Sequence, residues 1–193
     1  MENFAGETLS SVIAGKGLPL QTALGYAVRI ADAMASVHAA GILHGDLKPA
    51  NVVITQDGGV RILHFGPPKL IEPALPVSEN GKIVGTLIYM SPEQLQAKPV
   101  DARSEVFSFG SVLFEMLTGW PPFAGETLLA TVNAIVYQEP LSLSETIPDL
   151  PSELEHLVLR CLSKDPQDRW QAMSDLRVAL EDLRTESRTR LER

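Results

Sequence analysis

The stretch His44-Gly45-Asp46-Leu47-Lys48-Pro49-Ala50-Asn51 decides how this chain folds, together with His64-Phe65-Gly66 a short distance further on. Before it, apolar residues recur at helical spacing and predict a helix over 20–38. After it, two β-branched runs at 52–55 and 60–63 flank a glycine-rich turn and predict a hairpin. An ordinary turn around a Lys-Pro pair does not explain a carboxylate, an ammonium group and an amide at fixed spacing beside a hairpin.

The rest of the chain is predicted to be mainly helical. Two sequences match the capping box that opens helices, one at Ser91–Gln94 and one at Ser152–Glu155. The segment 66–85 has no periodicity and is predicted to be a long loop, which in a compact domain is usually functional or mobile. The further predicted helices cover 8–13, 104–118, 128–137, 152–162 and 173 to the end of the chain.

Composition restricts the class of protein. The 193 residues are 45% hydrophobic and carry a net charge of −8, which fits one globular domain and argues against a nucleic-acid partner. Cys161 is the single cysteine, so no intrachain disulfide is possible and a reducing compartment is expected. No signal peptide or apolar run of membrane-spanning length is visible, and we therefore expect a cytoplasmic protein.

The first stretch resembles the catalytic loop of protein kinases, which reads His-Arg-Asp with an asparagine five residues after the aspartate. The resemblance implies that Asp46 accepts the hydroxyl proton of the substrate and that Asn51 holds a metal ion. It places Lys48 near the transferred phosphate. In the same comparison Thr86 belongs to the catalytic set, and 64–93 is the activation segment.

The likeness extends over essentially the whole chain and is nearest to bacterial serine/threonine kinases of the eukaryotic-like (Hanks) type. It implies a mainly α fold, the large C-terminal lobe of a kinase, which is a helical bundle with a small β-hairpin. Glu105 is expected to brace the backbone of the catalytic loop, in place of the family's aspartate. Glu93 is expected to form a buried ion pair with Arg169. The matching series includes 85–93, 101–110, 119–123 and 161–169, and the structural positions His44 and Phe65.

Two positions depart from the family pattern. Gly45 replaces the arginine that normally pairs with a phosphorylated activation loop. His64 replaces the aspartate that binds metal, and a neutral imidazole is a poor ligand for magnesium. Loss of an unused function would explain His64, and so would a new role as an acid, a base or a transition-metal ligand.

The start of the chain matches the hinge between kinase lobes, with 1–6 as its remnant. The resemblance then places Glu2, Phe4 and Val53 on the side of the cleft that touches adenine. The family uses ATP and magnesium, but the small N-terminal lobe that carries the glycine loop and the phosphate-binding lysine is not expected here. We therefore expect no cofactor for this chain alone.

Three functional hypotheses follow. The first is a single-lobed pseudokinase that binds a protein partner, most simply a second copy, through the apolar face around Val53, Ile62 and Phe65. The second is an ATP-dependent serine/threonine kinase whose small lobe is missing from this chain or is supplied by another. The third is a remnant without a selected function.

Overall fold

The computed structural model describes residues 6–65 and 87–191. Helices dominate these residues, as predicted, and a small antiparallel sheet lies at one edge. The helices are α1 (Leu9–Ile13), α2 (Leu20–Ala39), α3 (Pro92–Leu95), α4 (Ala102–Thr118), α5 (Leu128–Tyr137), α6 (Leu143–Thr146), α7 (Ser152–Cys161) and α8 (Met173–Leu191). Single 3₁₀ turns form at Pro49–Asn51 and Leu87–Tyr89.

The sheet has three strands in the order β1 (Gly6–Thr8), β2 (Val52–Thr55) and β3 (Val60–Ile62). The predicted hairpin is β2–β3, with Val53 opposite Arg61. The strand β1 was not predicted. It pairs antiparallel with β2, so the hairpin is one part of a larger sheet.

Helix α4 is the centre of the bundle, because almost every one of its side chains is buried. A helix that is apolar all round must be surrounded by other elements. Gly110 allows α7 to approach closely, since a Cβ atom there would lie 2.5 Å from the Cβ atom of Cys161. Helix α2 packs along α8 on another side of the core.

The start of α4 differs slightly from the prediction. The helix begins at Ala102, and Asp101 caps it by accepting a hydrogen bond from the backbone of Arg103. Ser104 does not start the helix but lies in its first turn. Its hydroxyl accepts a hydrogen bond from the Asp101 backbone nitrogen and completes a capping box with Asp101. The predicted capping box at Ser91 and Gln94 is confirmed.

The second predicted capping box is wrong. Pro151 is the N-cap of α7, and no side chain among the described residues caps this helix. Glu155 instead accepts hydrogen bonds from the Ser142 hydroxyl at 2.8 Å and from the backbone of Ser144 at 3.2 Å. It therefore fixes the start of the unpredicted helix α6.

Within the described ranges, none of the helices combines the length and the apolar character that crossing a membrane requires. The expected absence of a small lobe stays a prediction.

Candidate functional site

The three polar side chains of the predicted catalytic loop come together. The Lys48 ammonium donates to the Asp46 carboxylate at 2.9 Å. The Asn51 amide donates to the backbone oxygen of Asp46 at 2.8 Å and to its carboxylate at 3.3 Å. Because the Asn51 nitrogen is used in this way, its side-chain oxygen remains the atom suited to an acceptor or metal-ligand role.

Local structure explains this convergence. The 3₁₀ turn Pro49–Asn51 brings Asn51 back towards Asp46, and the Asn51 backbone nitrogen donates to the oxygen of Lys48 at 3.0 Å. The Leu47 side chain is buried in the core and anchors the loop from below. The Asn51 backbone oxygen accepts from Leu63 at 2.8 Å, which ties the loop to the segment after β3.

Glu105 braces the loop, as the resemblance implied. Its buried carboxylate accepts from the Gly45 backbone nitrogen at 2.5 Å and bonds the His38 imidazole at 2.6 Å. It projects from the first turn of α4, so the central helix sets the position of Gly45 and hence of Asp46. A glutamate therefore reaches the position where the family has an aspartate.

His44 links the two motifs to each other. Its Nδ1 atom lies 3.1 Å from the donating backbone nitrogen of Asp46, and its Nε2 atom lies 2.8 Å from the oxygen of Leu63. The two bonds fit a neutral imidazole that is protonated on Nε2. Phe65 packs edge-on against the same ring, with ring centroids 4.7 Å apart.

The His64 side chain is exposed, whereas its chain neighbours Leu63 and Phe65 both contact His44. The backbone φ angle of His64 is 63°. Histidine is one of the few non-glycine residues that are enriched in this left-handed region, together with asparagine and aspartate. The backbone position is thus one that an aspartate would also accept, but the side chain presents an imidazole in place of a carboxylate.

Gly45 also lies in the left-handed region, with φ of 79°. Glycine adopts this conformation without the steric cost that a Cβ atom brings. The substitution removes a guanidinium group from the loop and removes backbone strain at the same residue. An activation loop carrying a phosphate would find no arginine at this position.

The residues present do not fit the family's magnesium ions. Magnesium prefers carboxylate and phosphate oxygens in octahedral geometry. The resemblance assigns two positions to this ion in kinases: one is Asn51, and the other, an aspartate in the family, is His64 in this chain. Within residues 6–65 and 87–191, no group of three or more His, Cys, Asp or Glu side chains is placed to hold a metal ion.

Several predicted site residues lie outside the described part of the chain. They are Glu2, Phe4 and Thr86, with the hinge at 1–5 and the part of the activation segment at 66–86.

The sequence places Val53 in an apolar face that a partner would cover, and such a residue should be open to water in the chain alone. This expectation is wrong, because only 9% of the surface of Val53 is exposed. It lies in the central strand β2, directly opposite Thr8 of β1, the strand that was not predicted. Ile62 is half-buried, and Phe65 is 48% exposed. The apolar face is therefore narrower than predicted and is centred on Ile62 and Phe65.

The predicted ion pair between Glu93 and Arg169 is present and buried. It is bidentate, with nitrogen–oxygen distances of 2.7 and 2.9 Å. Ser104 donates a further bond of 2.6 Å to the same carboxylate. Burial alone would raise the pKa of Glu93, but the guanidinium of Arg169 outweighs it and holds that pKa below the ordinary value.

One pair of polar residues was not predicted. The Tyr89 hydroxyl donates to the Glu115 carboxylate at 2.5 Å, and the Ser108 hydroxyl donates to the Tyr89 backbone. Burial raises the pKa of Glu115. A small groove beside Asp46 is lined by Tyr89 and Ser108, with Gly45, Leu47, Met90 and Gln94. The sequence signal that could have found this pair is Glu115, an acidic residue within the apolar stretch of α4.

Comparison with known proteins gives the same assignment as the geometry. The protein kinase domain family matches residues 1–179. The chain belongs to the protein kinase family. It is 36% identical over 183 residues to a probable serine/threonine-protein kinase of Streptomyces coelicolor. It is 35% identical over 181 residues to the serine/threonine-protein kinase PknB of Mycobacterium leprae.

These alignments cover 94% and 93% of this kinase-family chain but only 27% and 29% of the two relatives. A probable serine/threonine-protein kinase of Clostridium acetobutylicum is 34% identical, over 91% of the chain and 27% of that protein. The chain thus spans less than a third of the length of the curated relatives that it matches. The recognition of a Hanks-type bacterial serine/threonine kinase from its motifs is confirmed.

Proposed function

We propose that this chain is a pseudokinase of the serine/threonine family that acts by binding a protein and not by transferring a phosphoryl group. The observation that carries the proposal is His64. It stands where the family places its metal-binding aspartate, next to a catalytic loop whose other polar groups are in place. Phosphoryl transfer depends on metal ions that neutralise charge and on exact positioning, so the loss of that carboxylate removes an essential part.

Gly45 supports the same proposal from the side of regulation. Without an arginine in the catalytic loop, phosphorylation of the activation segment has no guanidinium there to pair with. Glu105 and His44 nevertheless hold the loop in an ordered conformation. An ordered loop without metal chemistry suits a protein that presents a fixed surface.

The alternative is a serine/threonine kinase that retains activity. Asp46, Lys48 and Asn51 keep hydrogen-bonded contact, and the relatives are named as serine/threonine kinases. In this alternative a small lobe, in the same protein or in another chain, would complete the nucleotide site.

Calorimetric titration with ATP in the presence and absence of magnesium separates the two. We expect the wild-type chain to show no gain in nucleotide affinity from magnesium. His64→Asp should acquire that dependence, because a carboxylate is a magnesium ligand, whereas the uncharged His64→Asn should gain less. A wild-type dissociation constant near 1 μM that depends on magnesium, about −8 kcal/mol, would overturn the proposal.

The face around Ile62 and Phe65 is the surface on which we place the partner, and a second copy of the chain is the simplest occupant. Two-fold dimers are the commonest closed assembly. A specific interface of this kind buries about 800 Å² on each partner. A different protein docking on the same face is the alternative.

Light scattering tests the dimer. Ile62→Glu should dissociate it, because the new carboxylate would be buried without a partner. Leu129→Glu is the matched control, since Leu129 is 77% exposed on α5 and should not affect the mass. A wild-type monomer at tens of micromolar, or a dimer that survives Ile62→Glu in a folded variant, would contradict the choice of occupant or face.

A further inference from the structure

Helix α5 lacks the polar face that a surface helix usually has. Its ten residues include no charged side chain. A surface helix normally carries charged or polar residues on its outer side, and a helix that is apolar all round is normally buried. Helix α5 fits neither description. One side packs into the bundle through Thr131, Ala134 and Ile135, whereas Leu129 is 77% exposed and Tyr137 is 74% exposed.

The exposed side chains of α5 form one stripe. Residues 129, 133 and 137 follow each other at four-residue spacing, so they lie on the same side of the helix, about 12 Å from end to end. Ala130 is exposed beside them. We call Leu129, Ala130, Asn133 and Tyr137 the α5 face. Single exposed apolar residues are ordinary, but a continuous apolar stripe usually marks an interaction site.

The charges next to the α5 face are acidic. Between Arg103 and Arg160 the sequence contains neither lysine nor arginine. Glu126 precedes the helix and Glu139 follows it, and both are exposed. Neither forms an ion pair within the described ranges. The apolar stripe therefore has a free carboxylate near each of its ends.

Two lysines lie close to α5, and neither forms a close ion pair with these glutamates. The Lys164 ammonium is held against the inner side of the helix, where it donates to the backbone oxygens of Ala134 and Ile135 at 3.4 and 2.9 Å. Burial lowers the pKa of Lys164, and the Glu139 carboxylate offsets this only in part. Lys98 follows α3, which packs against α5. The acidic character of the outer side of α5 is thus retained.

This charge distinguishes the possible occupants of the face. A second copy would bring the same glutamates against each other, and an anionic membrane would repel them. A segment with apolar residues at helical spacing and lysine or arginine beside them would cover Leu129 and Tyr137 and place its cations near both glutamates. We propose that the α5 face docks a cationic amphipathic helix of a partner protein. The proposal does not rest on the pseudokinase proposal, because the α5 face is separate from the catalytic loop.

Fluorescence anisotropy tests the apolar part of the site. The probe is a labelled synthetic peptide of leucine and lysine at helical spacing, about 14 residues or four turns long. We expect saturable binding that Tyr137→Gln weakens roughly tenfold or more, because exposed tyrosines are frequent anchors of interfaces. Leu129→Gln should weaken it as well. Val178→Gln is the matched control, since Val178 is 49% exposed on α8 and should leave binding unchanged.

The same assay tests the charge. Glu139→Gln should weaken binding roughly two- to fivefold at low salt, and the difference from the wild type should vanish near 1 M salt, where the Debye length is about 3 Å. Glu186→Gln is the control for net charge, because it removes an exposed carboxylate from α8. A peptide with glutamate in place of lysine should not bind. Circular dichroism confirms that each variant is folded.

Several results would overturn the proposal. They are no binding of the leucine–lysine peptide, equal binding of the leucine–glutamate peptide, or equal losses in Val178→Gln and Tyr137→Gln. Binding to phosphatidylcholine vesicles that Tyr137→Gln abolishes, without binding of the peptide, would assign the face to a lipid surface instead. A dimer that dissociates in Leu129→Glu would assign it to a second copy.

Discussion

Replacing Arg169 with methionine is the sharpest test of how this lobe is held together. The guanidinium is fully buried and uses all five of its N–H groups. Two go to the Glu93 carboxylate at 2.7 and 2.9 Å. The other three go to the backbone oxygens of Ser163, Arg103 and Lys164 at 2.7, 3.0 and 3.0 Å. Methionine fills part of the volume but donates to none of these acceptors.

The expected loss is large because Glu93 would remain buried without its cation. Breaking a buried pair by removing one partner costs about 3–5 kcal/mol. For a domain of this size, 1 kcal/mol shifts the melting temperature by roughly 2–4 °C, so the variant should melt roughly 6–20 °C below the wild type. The three backbone carbonyl groups that lose their donor add to the loss of stability.

The pH dependence of this loss in free energy of unfolding provides an independent test. In the wild type the pKa of Glu93 is lowered, so the pair stabilises the fold above the unfolded value, roughly pH 4.3, and that stability is lost as the pH falls through the folded value. In the variant, burial without Arg169 would raise the pKa of Glu93. The difference in free energy of unfolding should therefore be greatest near pH 7 and shrink as the pH approaches 4.

Urea denaturation followed by circular dichroism measures this difference. Arg103→Gln is the control, because the pair between Arg103 and Asp101 is partly exposed and should contribute less than about 1 kcal/mol. A loss below about 1 kcal/mol for Arg169→Met at pH 7, or a loss that does not depend on pH, would refute the reasoning.

Three further substitutions test local features by the same denaturation assay. Gly45→Ala should cost roughly 1–2 kcal/mol because its φ is 79°, whereas Gly25→Ala inside α2, where nothing lies within 4 Å of the new Cβ, should stabilise by about 0.5–1 kcal/mol; equal effects would contradict the backbone argument. Ser91→Ala should cost about 1 kcal/mol and Ser152→Ala close to nothing, since only the first serine caps its helix. Burial lowers the pKa of Lys164 to about 8. The free energy of unfolding should therefore rise between about pH 8 and pH 10.4, because the unfolded chain binds this proton more tightly than the folded one. In Lys164→Met this rise, roughly 1 kcal/mol after allowance for solvent screening, should be absent.

The helices and the hairpin could be predicted because their signals are local. Apolar residues at helical spacing marked α2, a strongly apolar stretch marked α4, and β-branched runs around glycine marked β2 and β3. The strand β1 has no such signal. Its three residues become a strand because β2 offers a free edge, and that edge is created by residues far along the chain.

The two capping boxes show how tertiary contacts override a local pattern. Ser91 and Ser152 stand in equivalent sequence patterns, but only Ser91 forms the reciprocal bonds. At the second position Glu155 finds the serines at the start of α6, which are nearby only in the folded molecule. A pattern of four residues cannot contain that information.

The candidate site likewise contains contacts that the sequence predicts and contacts that it does not. The carboxylate, ammonium and amide of the catalytic loop were predictable, because a turn of fixed length brings them together. The bond between Tyr89 and Glu115 was not predicted, because it joins residues 26 positions apart that meet only when α4 is packed. The burial of Val53 was missed for the same reason as β1.

The brace from Glu105 to Gly45 also sets a time order for folding. The two residues are 60 positions apart. A ribosome adding about 5–20 residues per second needs roughly 3–12 s to make Glu105 after Gly45. During that interval His44 and Asp46 are already synthesised, but the carboxylate that orders their backbone does not yet exist. The backbone of the motif can therefore reach its final geometry only after the start of α4 has been synthesised. That geometry depends on the folding of α4 as well as on the local sequence.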